Sequence, residues 1–116
     1  MEKYIYSAQV IDVYDGDTFK AIVDLGFGIK TKETFRLFGV NAPEIKGESR
    51  EAGIKTRDFV RSKILNKAVT IRTIKDSKEK YGRYLARVYY EDDRVVALHL
   101  NDQLVSLGLA ERKEYR

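Results

Sequence analysis

A few charged and amide side chains, far apart along the chain, are of the types needed to hydrolyse a phosphodiester bond. They comprise an acid after a tight turn, an amide and an acid around a proline, and two arginines: Asp17, Asn41, Glu44, Arg36 and Arg83. Water attacking an anionic phosphorus adds negative charge, which fixed positive groups must stabilise. An arginine suits this task because its planar fork matches two phosphate oxygens and stays protonated at any working pH.

A metal ion and a base would complete such chemistry. The carboxylate of Asp17 and the carbonyl oxygen of Asn41 are hard ligands of the kind that Ca²⁺ prefers. Glu44, positioned by Pro43, could orient or deprotonate the water. Taken singly, each residue has a plainer interpretation, since an Asp-Gly-Asp sequence is typical of an ordinary turn and a lone arginine of a surface partner.

The hydrophobic periodicity predicts the elements that must position these residues. Alternation with a period of two predicts strands, and a period near 3.6 predicts amphipathic helices. The first helix would begin with Ser49 as its N-cap and bury a face that includes Ala52 and Thr56. Asp15-Gly16 predicts a hairpin turn, and Gly108 a left-handed helix cap. The predicted order is strands at 10–14, 18–25 and 33–40, a helix at 49–65, strands at 68–74 and 84–90, and a helix at 98–107.

This order favours an α+β fold in which five strands curl into an OB-type barrel closed by a helix. The length of 116 residues predicts one domain, 1–116. The absence of cysteine excludes disulfide frameworks, thiolate zinc sites and cysteine nucleophiles, and a single histidine excludes His-rich metal sites. The first ten residues lack the apolar core of a secretory leader, so the sequence as written predicts a soluble, cytoplasmic protein unless a leader was removed.

The positive charge is concentrated in the middle of the chain. The formal net charge is +4, yet residues 44–90 carry 13 Lys and Arg against 6 Asp and Glu. A polyanion is therefore a natural partner to test, although a basic segment alone is more typical of a solvated helix face and loop.

Three motifs in this chain resemble those of the staphylococcal nuclease (thermonuclease) family. They are Val13-Tyr14-Asp15-Gly16-Asp17-Thr18, the stretch from Thr34-Phe35-Arg36-Leu37 to Val40-Asn41-Ala42-Pro43-Glu44, and Lys80-Tyr81-Gly82-Arg83, followed by Asn101 and Gly108-Leu109-Ala110. The resemblance covers about residues 10–110. It implies an OB-type barrel with three helices and Ca²⁺-dependent cleavage of DNA and RNA that leaves 3′-phosphate ends.

The resemblance also implies roles for individual residues. Asp17 would hold calcium together with Asn41 and the backbone carbonyl of Ala42, Arg36 and Arg83 would contact the scissile phosphate, and Glu44 would act on the water. Lys80 and Tyr81 match the family and could contact substrate phosphates, while a turn in which Tyr81 packs on Gly82 is the alternative. We expect a monomer that acts on single-stranded or unwound nucleic acid.

Two departures from the family pattern affect these expectations. Asn41 stands where the family usually has aspartate, and losing a carboxylate predicts weaker calcium binding or a changed metal preference. The C-terminal residues 111–116 do not reproduce the family's tyrosine spacing, which leaves Tyr115 without an expected role. Two other functions therefore stay open: a nuclease-like binding module with weak or no activity, and a plain single-strand binder, which would favour aromatic platforms over paired arginines and acids.

Overall fold

The computed structural model describes residues 3–92 and 97–115. Eight strands, two α-helices and one 3₁₀ turn lie within these ranges. In chain order they are β1 (Ile5–Asp15), β2 (Thr18–Asp24), β3 (Lys30–Leu37), β4 (Val40–Asn41), the 3₁₀ turn (Gly47–Ser49), α1 (Arg50–Ile64), β5 (Ala68–Lys78), β6 (Tyr84–Tyr90), β7 (Leu98–His99), α2 (Leu100–Ser106) and β8 (Glu111–Arg112).

Five of the strands form a closed barrel, which confirms the predicted α+β, OB-type fold. The main sheet has the order β3-β2-β1-β5-β6-β7 and is closed by an additional pairing of β3 with β6. This closing pair is parallel and joins Phe35, Arg36 and Leu37 to Tyr84, Leu85 and Ala86. The closure brings the strand that carries Arg36 beside the strand that follows Arg83, although the two residues are far apart in sequence.

Inward-facing side chains of alternate strand positions fill the barrel, as a period of two requires. Phe19 of β2 and Phe35 of β3 are directly opposite each other, and their rings stack with centroids 5.3 Å apart. Both are buried in the same core cluster as Leu37, Ile71 and Val88. Burying a side chain of this size contributes about 1.5–3 kcal/mol, so these strands are firmly held.

The third strand differs from its prediction. Instead of running unbroken from 33 to 40, β3 ends at Leu37 and the chain turns before it pairs again at β4. Gly39 makes this turn with a φ of 79°, a backbone conformation that glycine adopts without the steric cost of a side chain. The turn re-aims the segment that contains Asn41, Ala42 and Glu44.

Helix α1 lies within one residue of its predicted bounds, but its buried face is shifted. Gly53, Thr56, Val60 and Ile64 are buried, whereas Ala52 is exposed. Ser49 occupies the predicted N-cap position, but its side chain makes no cap hydrogen bond to the helix. Its hydroxyl donates instead to the carbonyl oxygen of Glu44 at 3.0 Å, which fastens the preceding loop to the start of the helix.

The C-terminal part of the domain is fastened by Asn101 in the short helix α2. Its amide nitrogen donates to the carbonyl oxygens of Phe38 at 2.9 Å and Ala86 at 3.1 Å, and its Oδ1 accepts from the Val88 N–H at 3.0 Å. These bonds hold the turn that leads to Asn41 against β6. Gly108 follows α2 with a φ of 73°, as predicted for a left-handed cap. The resemblance implied three helices, whereas the described residues form two α-helices and the 3₁₀ turn. Neither of these helices has the length and apolarity to span a bilayer.

Candidate active site

Asp17 lies between β1 and β2 and is almost fully buried. Its backbone N–H donates to the carboxylate of Asp15 at 3.0 Å. The glycine between them allows close packing, because a Cβ at Gly16 would come within 2.7 Å of the Ala42 side chain and 2.5 Å of the Thr56 side chain. The turn that carries Asp17 is thereby pressed against the loop that follows β4.

That loop is held directly by the Asp17 carboxylate. The Ala42 N–H donates to Asp17 Oδ2 at 2.9 Å, and the Thr18 hydroxyl donates to Asp17 Oδ1 at 3.2 Å. Two residues of the predicted metal-binding set, Asp17 and Ala42, are therefore in contact.

Arg36 is buried against the same carboxylate. Its side chain, with 10% exposed, lies 3.6 Å from Asp17 Oδ2 through Nη2, and the same nitrogen donates to Asn41 Oδ1. Nη1 donates to the carbonyl oxygens of Leu37 at 3.2 Å and Val40 at 3.1 Å. Because most of its N–H groups are already engaged, Arg36 fixes the turn before Asn41 as well as placing positive charge beside Asp17.

Arg83 reaches the site from the opposite side through Thr18. Its Nη1 donates to the Thr18 hydroxyl oxygen at 3.0 Å, the same hydroxyl that bonds Asp17. The rest of the guanidinium donates hydrogen bonds to Glu79, with Nε and Nη2 each 3.0 Å from a carboxylate oxygen. This hydrogen-bonded pairing with Glu79 is the main cause that raises the pKa of Arg83. Both arginines are thus connected to Asp17, Arg36 by an ion pair and Arg83 by hydrogen bonds through Thr18.

Glu44 lies in the loop that follows β4. Its side chain is exposed and has no hydrogen-bond or ion-pair partner within residues 3–92 and 97–115. Its backbone, by contrast, is packed so closely on α1 that a Cβ at Gly53 would stand 2.2 Å from the Glu44 carbonyl oxygen. A fixed backbone with a free carboxylate suits a group that contacts a bound water.

The oxygen donors at this site are few. Burial is the main cause that raises the pKa of Asp15 to about 6, and the adjacent Asp17 carboxyl group adds to the shift. Two carboxyl groups therefore lie side by side, and a bound cation would relieve their repulsion. The described part of the chain contains no group of three or more His, Cys, Asp or Glu residues that could hold a metal ion. Two carboxylates, the Asn41 amide and the Ala42 carbonyl fit a hard cation by donor type, with a low carboxylate count.

Lys80 and Tyr81 lie in a tight turn next to Arg83. The Tyr81 ring is 71% exposed, and the Lys80 ammonium and the Arg83 guanidinium lie 5.0 and 5.5 Å from its centroid. Gly82 has a φ of 81° and its N–H donates to the Glu79 carbonyl oxygen at 2.9 Å. The turn therefore presents an uncovered aromatic ring and two cations beside the site.

Comparison with known proteins identifies the family. The family model described as staphylococcal nuclease homologue matches residues 34–116. The chain belongs to the staphylococcal nuclease family. A thermonuclease of Staphylococcus hyicus is 33% identical over an alignment of 111 residues that covers 93% of this chain and 60% of that protein. An uncharacterized protein of Methanocaldococcus jannaschii is 29% identical over 90% of this chain and 58% of its own length. The chain thus spans about three fifths of these curated relatives.

Several residues that shape this nuclease-family site were not predicted. Thr18 bridges Asp17 and Arg83, Glu79 orients Arg83, and Asp15 adds a second carboxyl group. Asp15 and Thr18 flank Asp17 in its motif, and Glu79 precedes the Lys80–Arg83 motif at a spacing of four from Arg83, so proximity to the motifs was an available signal. Tyr115 stacks on Phe38 with centroids 4.8 Å apart and accepts a hydrogen bond from the Gly39 N–H, which gives it a packing role.

Gly53 gives a test of how the loop is seated on α1. In an exposed helix, replacing glycine by alanine stabilises by up to about 1 kcal/mol. Here Gly53→Ala is expected to destabilise by about 1–3 kcal/mol, because the new methyl group would collide with the Glu44 and Pro43 carbonyl groups. Urea unfolding measures the effect, with Ser62→Ala on the exposed side of α1 as the control. A gain in stability at position 53 would contradict the close approach.

The pairing of Glu79 with Arg83 predicts a pH-dependent stability. Hydrogen bonds from Arg83 lower the pKa of Glu79 from 4.5 to about 2, so its contribution to the free energy of unfolding is complete above pH 4.5 and is lost as the pH falls toward about 2. The stability difference between the native protein and Glu79→Gln should therefore be largest near neutral pH and shrink through this window. Urea unfolding at a series of pH values checks this, and a difference that stays constant would contradict it.

Proposed function

We propose that residues 1–116 form a single nuclease domain that hydrolyses phosphodiester bonds in DNA and RNA with little sequence preference. The observation that carries this proposal is the network in which Arg36 and Arg83 both reach Asp17, Arg36 directly and Arg83 through Thr18. Binding alone does not require two arginines gathered around an acid. Hydrolysis at an anionic phosphorus does require such fixed positive groups, because negative charge develops there in the transition state.

The residues divide the chemistry between them. The Arg83 guanidinium is oriented by Glu79 and would contact the scissile phosphate, while Arg36 adds positive charge from the buried side. Lys80 and Tyr81 would contact neighbouring phosphates and the sugar or base beside them. Glu44 would accept a proton from the attacking water. The water forms a bond to phosphorus and the bond to the 5′ oxygen breaks. This leaves a 3′-phosphate end, and the departing oxygen takes a proton from solvent to give a 5′-hydroxyl end.

Calcium is the cofactor we propose for this reaction. Asp17, Asn41 and the carbonyl oxygen of Ala42 would hold it, and Asp15 lies close enough to contribute. Bound there, it supplies Lewis-acid stabilisation of negative charge on the phosphate. We expect the protein to act as a monomer on single-stranded or unwound substrate, since a phosphate must come close to a buried arginine.

One observation favours the alternative of a nucleic-acid-binding module with weak or no activity. Asn41 supplies a neutral ligand, and its Oδ1 is already bound by Arg36. Calcium affinity depends on ligand charge, so a weakly held metal would leave binding intact and limit cleavage.

Asn41→Asp tests directly whether the neutral side chain of Asn41 limits calcium affinity. A third carboxylate beside Asp15 and Asp17 is expected to tighten calcium binding by about tenfold or more, because carboxylate count sets the affinity of such sites over several decades. Isothermal titration of calcium measures the change. Asn66→Asp is the matched control, since it introduces the same charge at an exposed position just after the C-terminal end of α1. Equal affinity in native protein and Asn41→Asp would contradict the assignment of Asn41 as a ligand.

Cleavage of heat-denatured DNA and of RNA tests the proposed function itself. We expect degradation when Ca²⁺ is supplied, arrest when a chelator is added, and products that a polymerase can extend only after a phosphatase has removed their 3′ phosphates. Binding of the substrate without any cleavage at saturating calcium would overturn the nuclease and support the binding module.

A further inference from the structure

The outer face of the hairpin formed by β2 and β3 carries a row of lysines that leads away from the candidate site. Cross-strand register pairs Thr18 with Arg36, Lys20 with Thr34, Ile22 with Lys32 and Asp24 with Lys30. Directly opposite residues share a face of a sheet, and alternation places Lys20, Lys30 and Lys32 on the face opposite Phe19 and Phe35. All three lysines are exposed.

The row ends at an apolar hairpin tip. Phe27 is fully exposed, and Leu25 and Ile29 are about half exposed. The tip is held in shape by hydrogen bonds from the Leu25 N–H to the Ile29 carbonyl oxygen at 2.9 Å and from the Ile29 N–H to the Gly26 carbonyl oxygen at 2.8 Å. Phe27 itself has a φ of 57°, a conformation that costs a bulky residue free energy. Among the residues that the structure describes, none packs on this ring, so the fold gives no reason for an aromatic side chain here.

We propose that this surface, the β2–β3 track of Lys20, Lys30, Lys32 and Phe27, binds the single-stranded nucleic acid that flanks the bond to be cleaved. The inference rests on the proposed function, which places a phosphate at Arg36. The lysines contact successive phosphates of the flanking strand, and Phe27 stacks on one of its bases. Aromatic platforms next to a basic groove are the usual means of holding a single strand without reading its sequence.

The arrangement of the track favours a nucleic acid over a membrane surface. The 7 residues of β2 rise about 3.4 Å each, so the lysines follow a line of roughly 20 Å that begins at Arg36. A shallow depression of about 400 Å³ lies on the same face, lined in part by Ile22, Asp24 and Lys30. The acids on this face are Asp24, which accepts a hydrogen bond from the Gly26 N–H, and two acids of β1, Asp12 opposite Lys20 and Asp15 opposite Thr18. A linear array continuous with a phosphate site matches a strand, whereas a membrane surface requires no such line.

Oligonucleotide binding in the presence of a chelator tests the track without any cleavage. Two labelled single strands are compared by fluorescence anisotropy, one of about 12 nucleotides and one of about 3, since barrels of this type contact roughly 4–16 nucleotides. Phe27→Leu keeps an apolar side chain but removes the ring, and it should weaken binding of the longer strand at least about fivefold. Phe27→Tyr should bind like the native protein, and the shorter strand should not distinguish the variants.

The lysines are tested by salt dependence. Lys30→Ala combined with Lys32→Ala should lower the slope of log affinity against log salt by about 1.4, since each phosphate contact on a single strand contributes about 0.7. Lys55→Ala combined with Lys63→Ala removes the same charge from α1 and should leave the slope unchanged. An equal loss in this control pair would overturn the track.

The outcomes separate this inference from the proposed function. Tight binding of the longer strand by Phe27→Leu overturns the track and leaves the nuclease intact if denatured DNA is still cleaved. Loss of binding in Phe27→Leu supports the track even if no cleavage occurs, in which case the nuclease fails. Binding to anionic vesicles that depends on Phe27, with oligonucleotide binding that does not, would replace the track by a membrane-docking tip.

Discussion

Replacing Glu44 by glutamine is expected to slow hydrolysis of denatured DNA by roughly 10²–10⁴-fold, the usual contribution of a positioned acid or base. Glutamine keeps the size of the side chain and removes its ability to accept the proton of the water. Because the Glu44 carboxylate is exposed and bonds no described residue, the substitution should leave the melting temperature unchanged. Initial rates at saturating calcium measure the effect.

Glu48→Gln is the matched control for this prediction. Glu48 lies in the 3₁₀ turn on the same loop, is exposed and carries the same charge. Its replacement should leave the rate within a small factor of the native value. Comparable slowing in both variants would show that general negative charge matters and would remove Glu44 from its proposed role.

Arg83→Lys is expected to lower the rate by about 10²–10³-fold, as loss of one preorganised contact to the transition state does. Lysine keeps the positive charge but lacks the planar guanidinium group, which bonds Glu79 and Thr18 at the same time. The reduction should appear in kcat, because the missing contact is strongest when charge builds up on the phosphate. Steady-state kinetics on a short oligonucleotide separates kcat from KM.

Arg87→Lys provides the control, on the strand that follows Arg83. Arg87 lies over the Phe38 ring, with 5.3 Å to its centroid, and is not part of the network around Asp17. The control should retain the native kcat. If Arg83→Lys also retains it, the guanidinium does not stabilise the transition state and the proposed site is misplaced.

The barrel was predictable because strand periodicity and turn residues act locally. Phe19 and Phe35 alternate with polar neighbours, and the helix pattern from 49 to 65 placed α1 within a residue of its observed bounds. The seating of α1 was not predictable, because the apolar pattern favours Ala52 and gives no weight to a glycine. Gly53 is buried for lack of a side chain, which allows the Glu44 carbonyl to approach.

The different surroundings of the two arginines could not be predicted from the sequence. Their motifs predicted equal roles at the phosphate. The folded protein separates them, since Arg36 is bound to the carbonyl groups of Leu37 and Val40 whereas Arg83 keeps a partly exposed guanidinium held by one acid. Removing Arg36 would therefore disturb the fold as well as the proposed chemistry, whereas replacing Arg83 tests the chemistry more cleanly. Charge counted by segment likewise missed the lysines of β2 and β3, because cross-strand register gathers them on one face.

The most direct test of the account is a crystal structure with calcium and a short oligonucleotide whose scissile ester is replaced by a non-hydrolysable linkage. We expect one phosphate in contact with both Arg36 and Arg83, calcium on Asp17 and Asn41, and the Glu44 carboxylate facing a water in line with the bond to the 5′ oxygen. A strand bound elsewhere on the barrel, with no phosphate within reach of either arginine, would contradict it.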